Sequence, residues 1–369
     1  MKPIIIVMIL SLLFCSLIGI VKITNAQTST IVISPDGSVN PSYGIQKDGN
    51  IYTLTADLNL PIKIQKSNII LNGANHTLQG TGRNNSLAAI SLTASNITVI
   101  NCNITNWEAG IYGAYNNNTI TANQFTNNTR AITLYATDYI INKNIIQQNG
   151  DGIYIKTDCL TCTGDNNLII NNQIVSNSRA FNIINSDGTT ITKNNVTGNK
   201  EILALGNKIG VPDFGNHLLY LNNFINNSVV LYVHIPGPFV SGLVTISPAG
   251  TWDNGTAGNY WSDYNTKYPN ASERGDSGIG DMSYVIESDP ISWSTGSAEG
   301  VTVLGSGVDC YPLIDIYNIF DTVESPDSSD ASDPLNNISV ECIVVSVFVF
   351  SILAIVLIAA IYRRKRRQT

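Results

Sequence analysis

The sequence predicts an all-β solenoid, a parallel β-helix built from coils of about 21 residues, and three observations predict it. The first is a fixed period. Ile90, Ile111, Ile132 and Ile153 lie 21 residues apart, each in a near-copy of one phrase: Ala88-Ala89-Ile90, Ala109-Gly110-Ile111, Arg130-Ala131-Ile132 and Asp151-Gly152-Ile153. A step of 28 then reaches Phe181, and 21 more reaches Ile202. The second is a column of apolar pairs in phase with the first: Val99/Ile104, Ile120/Phe125, Ile140/Ile145, Ile169/Ile174, Ile191/Val196 and Leu219/Phe224. The third is the punctuation between columns, where Asn127-Asn128, Gln148-Asn149-Gly150, Ser176-Asn177-Ser178, Gly198-Asn199 and Asn226-Asn227 recur. Between Thr28 and Phe320 no stretch carries the 3.6-residue apolar spacing of a helix.

Each repeat of this length is one supersecondary unit that can bury its apolar face only against its neighbours. Strands of three to five residues, bent every 7 to 10 by Asn or Gly, cannot lie in a flat sheet. They wind instead into coils that rise by one strand spacing, ~4.8 Å. Asn residues at equivalent turns of such coils can stack into amide ladders. Nearly all of the Asn, Ile and Val residues therefore have a structural reading.

The two ends read differently from the body. Met1-Lys2-Pro3, the apolar run Ile4–Ile20 and the small residues up to Ala26 form a secretory signal, with an uncleaved anchor as the alternative. Cys342–Tyr362 is 21 uncharged residues, long enough to span a bilayer, and Arg363-Arg364-Lys365-Arg366-Arg367 follows at once. That cluster belongs on the cytoplasmic side, which puts the bulk of the chain outside. The organisation expected is thus a signal (1–26), an N-terminal cap (27–66), β-helix repeats (67–235) and a C-terminal cap (236–320). An acidic, Ser-rich stalk (321–339), a membrane span (340–362) and a basic tail (363–369) follow. Between signal and span stand 13 basic and 26 acidic residues, a net charge near −13. Such a surface argues against nucleic acid as a partner and suits cations and neutral or basic ligands.

Four cysteines remain in the ectodomain. Cys159-Leu160-Thr161-Cys162 falls in the longest interval between second-column residues, so the pair reads as a local disulfide stapling a protruding loop, ahead of a metal or redox site. Cys102 falls within a strand and reads as a buried thiol.

Two segments resemble a known family. Ile33-Ser34-Pro35-Asp36-Gly37-Ser38, Tyr52-Thr53-Leu54-Thr55, Ser67-Asn68-Ile69-Ile70-Leu71-Asn72-Gly73 and His76-Thr77-Leu78-Gln79-Gly80 resemble the opening of NosD-like β-helix proteins. Trp252-Asp253-Asn254-Gly255, Gly258-Asn259-Tyr260-Trp261-Ser262-Asp263-Tyr264, Gly278-Ile279-Gly280-Asp281 and Asp309-Cys310-Tyr311-Pro312-Leu313-Ile314 are similar to the closing cap of archaeal surface members. The resemblance implies a right-handed β-helix, an envelope location and kinship with carbohydrate-binding proteins and sugar hydrolases built on this coil.

Three functional readings follow. The family name carries copper, but copper takes imidazole, thiolate or thioether ligands. The ectodomain offers only His76, His217, His234, Met282 and the four cysteines, with no His-x-His or Met-rich run. The enzyme reading rests on Asn185-Ser186-Asp187-Gly188, which resembles a word of the polygalacturonases and makes Asp187 the catalytic candidate. Their Asp-Asp, Gly-His-Gly and Arg-x-Lys words are missing, and Asn-Ser-Asp-Gly is also an ordinary turn. Arg130 and Arg179 share a repeat position, which is weak support for a lyase. The third reading, which ranks first, is a non-catalytic module that binds polysaccharide or another envelope polymer, or mediates adhesion. Trp252, Tyr260, Trp261 and Tyr264 are its sugar-stacking candidates, against a competing role in closing the solenoid end. Asp276 and Asp281 lie in an oxygen-rich, Gly-bent segment that reads as a structural Ca²⁺ loop without the full EF-hand pattern. N-glycosylation sequons begin at Asn75, Asn84, Asn96, Asn103, Asn117, Asn127, Asn195, Asn226, Asn254, Asn270 and Asn337.

Overall fold

The computed structural model describes residues 30–82, 87–156, 165–206, 216–234, 244–245, 250–286, 303–304 and 307–318. The signal, the Cys159–Cys162 loop, Asn84, Asn337, the stalk and the membrane span lie outside them. So does all of the second compact unit, Phe320–Thr369. Among the described residues no helix is long and apolar enough to cross a membrane.

The chain winds through three sheets in turn. One coil runs Ala88–Leu92, Ile97–Ile100 and Asn103–Thr105, then returns at Ala109–Gly113 beside its starting strand. The first sheet stacks the strands from Ile31–Ile33 to Val229–His234, the second those from Ile51–Leu54 to Leu218–Tyr220, and the third those from Thr77–Gln79 to Tyr260–Trp261. All neighbours between successive coils are parallel, and this order is consistent with the right-handed sense. Ile90, Ile111, Ile132, Ile153 and Phe181 lie directly over one another, as the period requires.

The register corrects the sequence reading at three places. Phe181 pairs with Leu203, not Ile202, because the coil between them has 22 residues. Ile141 and Ile146, fully buried, fill the second column where Ile140 and Ile145 were expected; Ile140 is exposed. Side chains alternate with a period of two, so a slip of one residue exchanges the faces. Cys102 sits at a corner between strands rather than within one.

The corners are built on Asn. At the two corners that flank the third sheet, a residue with positive φ (Ala122, Lys143, Asn171, Lys193 and Leu221 on one edge) turns the chain, and from Asn123 and Asn128 onward the Asn after it points inward. Asn123, Asn144, Asn172, Asn194, Asn222 and Asn259 form one buried ladder. The Oδ1 of each receives both the backbone N–H (2.9–3.1 Å) and the Nδ2–H (2.9–3.1 Å) of the one before. Asn128, Asn149, Asn177, Asn199 and Asn227 form a second ladder at the next corner. A buried amide without partners costs ~1–3 kcal/mol; here every rung is satisfied by the next.

The ends of the ladders are chemically distinct. Cys102 occupies the first ladder's position one coil earlier, and its thiol faces the Ile100 carbonyl as the Asn123 amide faces that of Thr121. Trp107 heads the second ladder, its indole N–H donating to the Leu78 carbonyl at 2.9 Å. Burial pushes the Cys102 thiol up to about 12, so it is inert packing. At the far end the donors of Asn259 meet Asp309, whose carboxylate accepts the Asn259 N–H at 2.7 Å and the Trp261 indole N–H at 2.9 Å. A ladder whose donors all point one way must end on a group that only accepts, and a carboxylate does this. Gly258 is required beside it, because a Cβ there would lie 1.7 Å from Asp309 Oδ1.

At the N-terminal end, antiparallel partners cover two sheet edges: Val39–Asn40 on the first sheet and Ile45–Asp48 on the second. Paired edges of this kind blunt end-to-end aggregation.

Candidate functional site

The outer face of the first sheet is where the coil repeat departs from Asn, Thr and aliphatic residues. Outward positions come in columns. One runs Ala88, Ala109, Arg130, Asp151, Arg179 and Glu201; the next runs Lys63, Ser91, Tyr112, Thr133, Tyr154 and Asn182.

In the first column charge alternates at each coil. Arg130 Nε lies 3.4 Å from Asp151 Oδ2, Arg179 Nη1 3.1 Å from Asp151 Oδ1, and Arg179 Nε 3.3 Å from Glu201 Oε2. Asp151 is buried and also accepts from Asn182 Nδ2 at 3.1 Å. Opposite charges directly across neighbouring strands stabilise a sheet by a few tenths of a kcal/mol to ~1 kcal/mol each, at the low end where arginines are exposed as these are. In the second column and beside it the rings of Tyr112, Tyr135 and Tyr154 follow one another, with centroids 5.5 and 6.2 Å apart. The Arg130 guanidinium covers Tyr154 at 4.2 Å. Burial, reinforced by Tyr135, pushes the Tyr154 phenol up to about 12.

Where both columns carry small residues, the face is hollow. Ala88, Ser91 and Ala109 form the floor of a groove of about 410 Å³, walled by Lys63, Glu108, Tyr112, Arg130 and Tyr135. The buried Thr133 hydroxyl lines it and has no hydrogen-bond partner among the described residues.

The residues singled out from sequence lie elsewhere. Trp252, Trp261 and Tyr264 are buried in the C-terminal cap, and only Tyr260 is partly exposed. Trp261 stacks on Tyr284 at 4.2 Å with planes 1° apart and packs against Phe224 at 4.6 Å with planes tilted by 33°. Asp187 lies on a corner where its carboxylate accepts the Asn216 N–H, and its own N–H donates to Asp165 Oδ2 at 3.0 Å. Both acids act there as backbone acceptors between coils. Asp281 accepts the N–H and hydroxyl of Ser272 (2.8 and 2.7 Å), which holds it below the usual carboxylate range. Asp276 is exposed. The described sequons Asn75, Asn96, Asn117, Asn127, Asn226, Asn254 and Asn270 are exposed, and Asn103 and Asn195 half-buried. None belongs to the inward ladders.

For copper the described ligands do not fit a common site. His76 Nδ1 lies 3.3 Å from Asp57, on the coil of strand Thr77–Gln79. His217 is buried beside strand Leu218–Tyr220, about six coils and therefore roughly 29 Å along the axis. Cys102 is sealed in the core. Among the described residues no three His, Cys, Asp or Glu side chains converge.

Coils, corner ladders and caps define a parallel β-helix protein. The family model described as periplasmic copper-binding protein (NosD) matches residues 24–266, and the chain belongs to that family. No curated protein and no solved structure matches it.

The tyrosine face escaped the sequence reading, although a signal was present. Tyr112 and Tyr154 are two periods apart, and Arg130, Asp151 and Arg179 share one repeat position.

Proposed function

We propose that this NosD-family chain is a non-catalytic envelope module that binds an extended polysaccharide or similar polymer along the outer face of its first sheet. In this reading the C-terminal apolar segment anchors it in a membrane with the β-helix outside. One observation carries the proposal: tyrosines, alternating ion pairs and a groove are displayed in register, at one coil spacing, on a single face. An extended polymer lying along the axis would meet the same spacing repeatedly. Aromatic rings offer it apolar faces, and the fixed ion pairs offer donors and acceptors. The family's periplasmic description supports a location outside the cytoplasm.

The polysaccharide-cleaving alternative needs a carboxylic acid and a carboxylate flanking the bond to be broken. Asp151 and Glu201 are held by arginines, and Asp165 and Asp187 by backbone N–H groups. With these four occupied, Glu108 is the one acid among the described residues that lines the groove, and a single carboxylate there supports binding over hydrolysis. The donor set also supports binding over copper handling.

The test is retention of the full-length, detergent-solubilised chain on a panel of immobilised polysaccharides, with the supernatant examined for released oligosaccharides. Retention without release, lost in a Tyr112→Ala/Tyr135→Ala variant, is the expected result. Release of fragments would replace this reading with the enzyme, and Asp187→Asn would then be the next variant. Resistance to alkaline extraction from membranes checks the anchor.

A further inference from the structure

The groove permits a narrower statement, which rests on the glycan-binding reading above. We infer that it seats a ring of an uncharged hexopyranose polymer rather than of an acidic one.

Shape comes first. The floor spans two coils because Ala88, Ser91 and Ala109 are small, and it is closed by Lys63 on the coil before and by Arg130 and Thr133 on the coil after. Lys63 and Thr133 are three rises apart, about 14 Å. The enclosed volume, about 410 Å³, lies in the range of small-molecule sites, ~300–1,000 Å³. Tyr112 and Tyr135 stand at its wall with half-exposed rings, which can cover the apolar face of a pyranose.

Charge decides between sugar classes. Two cations, Lys63 and Arg130, line the groove, but Asp151 holds Arg130 and Glu108 lines the same groove. The four charges cancel. A uronate would bring its carboxylate towards Glu108, and with Arg130 held by Asp151 it would find only Lys63 to receive it. A neutral ring does not meet that repulsion. Each of its hydroxyls both donates and accepts, which matches Lys63 as donor, Glu108 as acceptor and Thr133 as either. Leaving the buried Thr133 hydroxyl unpartnered costs free energy that a sugar hydroxyl would recover.

The experiment is affinity electrophoresis of the full-length chain in neutral glucan, mannan and galactan, and in polygalacturonate and alginate, at 50 and 500 mM NaCl. The inference expects retardation by at least one neutral polymer, with Kd changing less than twofold with salt. Ser91→Trp, which fills the floor from the exposed side, is expected to weaken it tenfold or more. Tyr112→Ala should do the same, and it carries the test should Ser91→Trp misfold. Binding confined to acidic polymers, or neutral binding untouched by both substitutions, would overturn the inference. The broader reading would survive the first of these outcomes; no retardation by any polymer would sink both.

Discussion

Removing one rung of the first Asn ladder should destabilise the solenoid far more than removing the residue beside it. In Asn172→Ala the Asn144 N–H and Nδ2–H, now held at 2.9 and 3.0 Å, lose their common acceptor. The Ile141 carbonyl loses a donor at 2.9 Å and Asn194 Oδ1 one of its two. Two buried donors left without partners cost ~1–3 kcal/mol each, so the substitution should cost about 4 kcal/mol. Water entering the vacated space would lower this figure. The control is Asn171→Gly. Asn171 has φ +56° and its amide reaches only the outer Asn142 Oδ1 at 3.2 Å. Glycine keeps the left-handed turn at no steric cost, so the change should stay below ~1 kcal/mol. Urea unfolding followed by circular dichroism gives the two values on the full-length chain. Because solenoids can unfold in parts, hydrogen exchange at the Asn144 amide gives a local reading. Equal midpoints for the two variants, with Asn144 still protected in Asn172→Ala, would refute the idea that the ladder holds the coils. Asn172→Asp sharpens the point: it restores the acceptor for Asn144 but turns lone pairs toward Asn194 Oδ1, so it should be less stable at pH 7 than when protonated.

The remaining predictions test particular residues. Burial pushes the Asp309 carboxyl up to about 6 from 3.8, opposed by hydrogen bonds from Asn259 and Trp261. The folded chain thus holds this proton more tightly than the unfolded chain. Stability from this group is greatest below pH ~4 and falls as pH rises through 6, by about 1.3 kcal/mol between pH 5 and 7. Asp36, Asp57 and Asp281 shift the other way, so the readout is the difference in slope between the parent and Asp309→Asn, which should remove this component. Ile141→Ala should cost ~2–5 kcal/mol and Ile140→Ala less than ~0.5 kcal/mol, measured by the same unfolding assay. Lys143 is exposed with φ +54°, so Lys143→Asn should raise stability by ~0.5–1 kcal/mol.

The solenoid was legible because its determinant is a period, and a period survives in one dimension. The Ile90–Ile153 column and the recurring Asn pairs state the coil length and its corners directly. Register was less legible: Ile140-Ile141 and Ile145-Ile146 are apolar doublets, and nothing local says which member faces inward. Function was least legible. Trp252 and Trp261 stand out by composition, yet which side of the last coil they cover depends on Phe224 beneath and Tyr284 beyond, brought together only by folding. The groove is made by what is small, Ala88, Ser91 and Ala109, and small residues announce nothing in a sequence until their neighbours are known.

The two described ladders run along the corners on either side of the third sheet, and over the coils they span the longer connections avoid both; residues 80–87, between Thr77–Gln79 and Ala88–Leu92, come one coil before the ladders begin. Residues 157–164, 207–215 and 235–249 all fall after a strand of the first sheet and before the corner that leads onward. Two corners are thus committed to a repeating contact that tolerates no change in spacing, while the third absorbs length. Where the ladders run, insertions and sequence drift among chains of this design should accumulate along that third rim, beside the tyrosine face. A lineage could in this way vary what lies next to its polymer track while every coil keeps the same pitch.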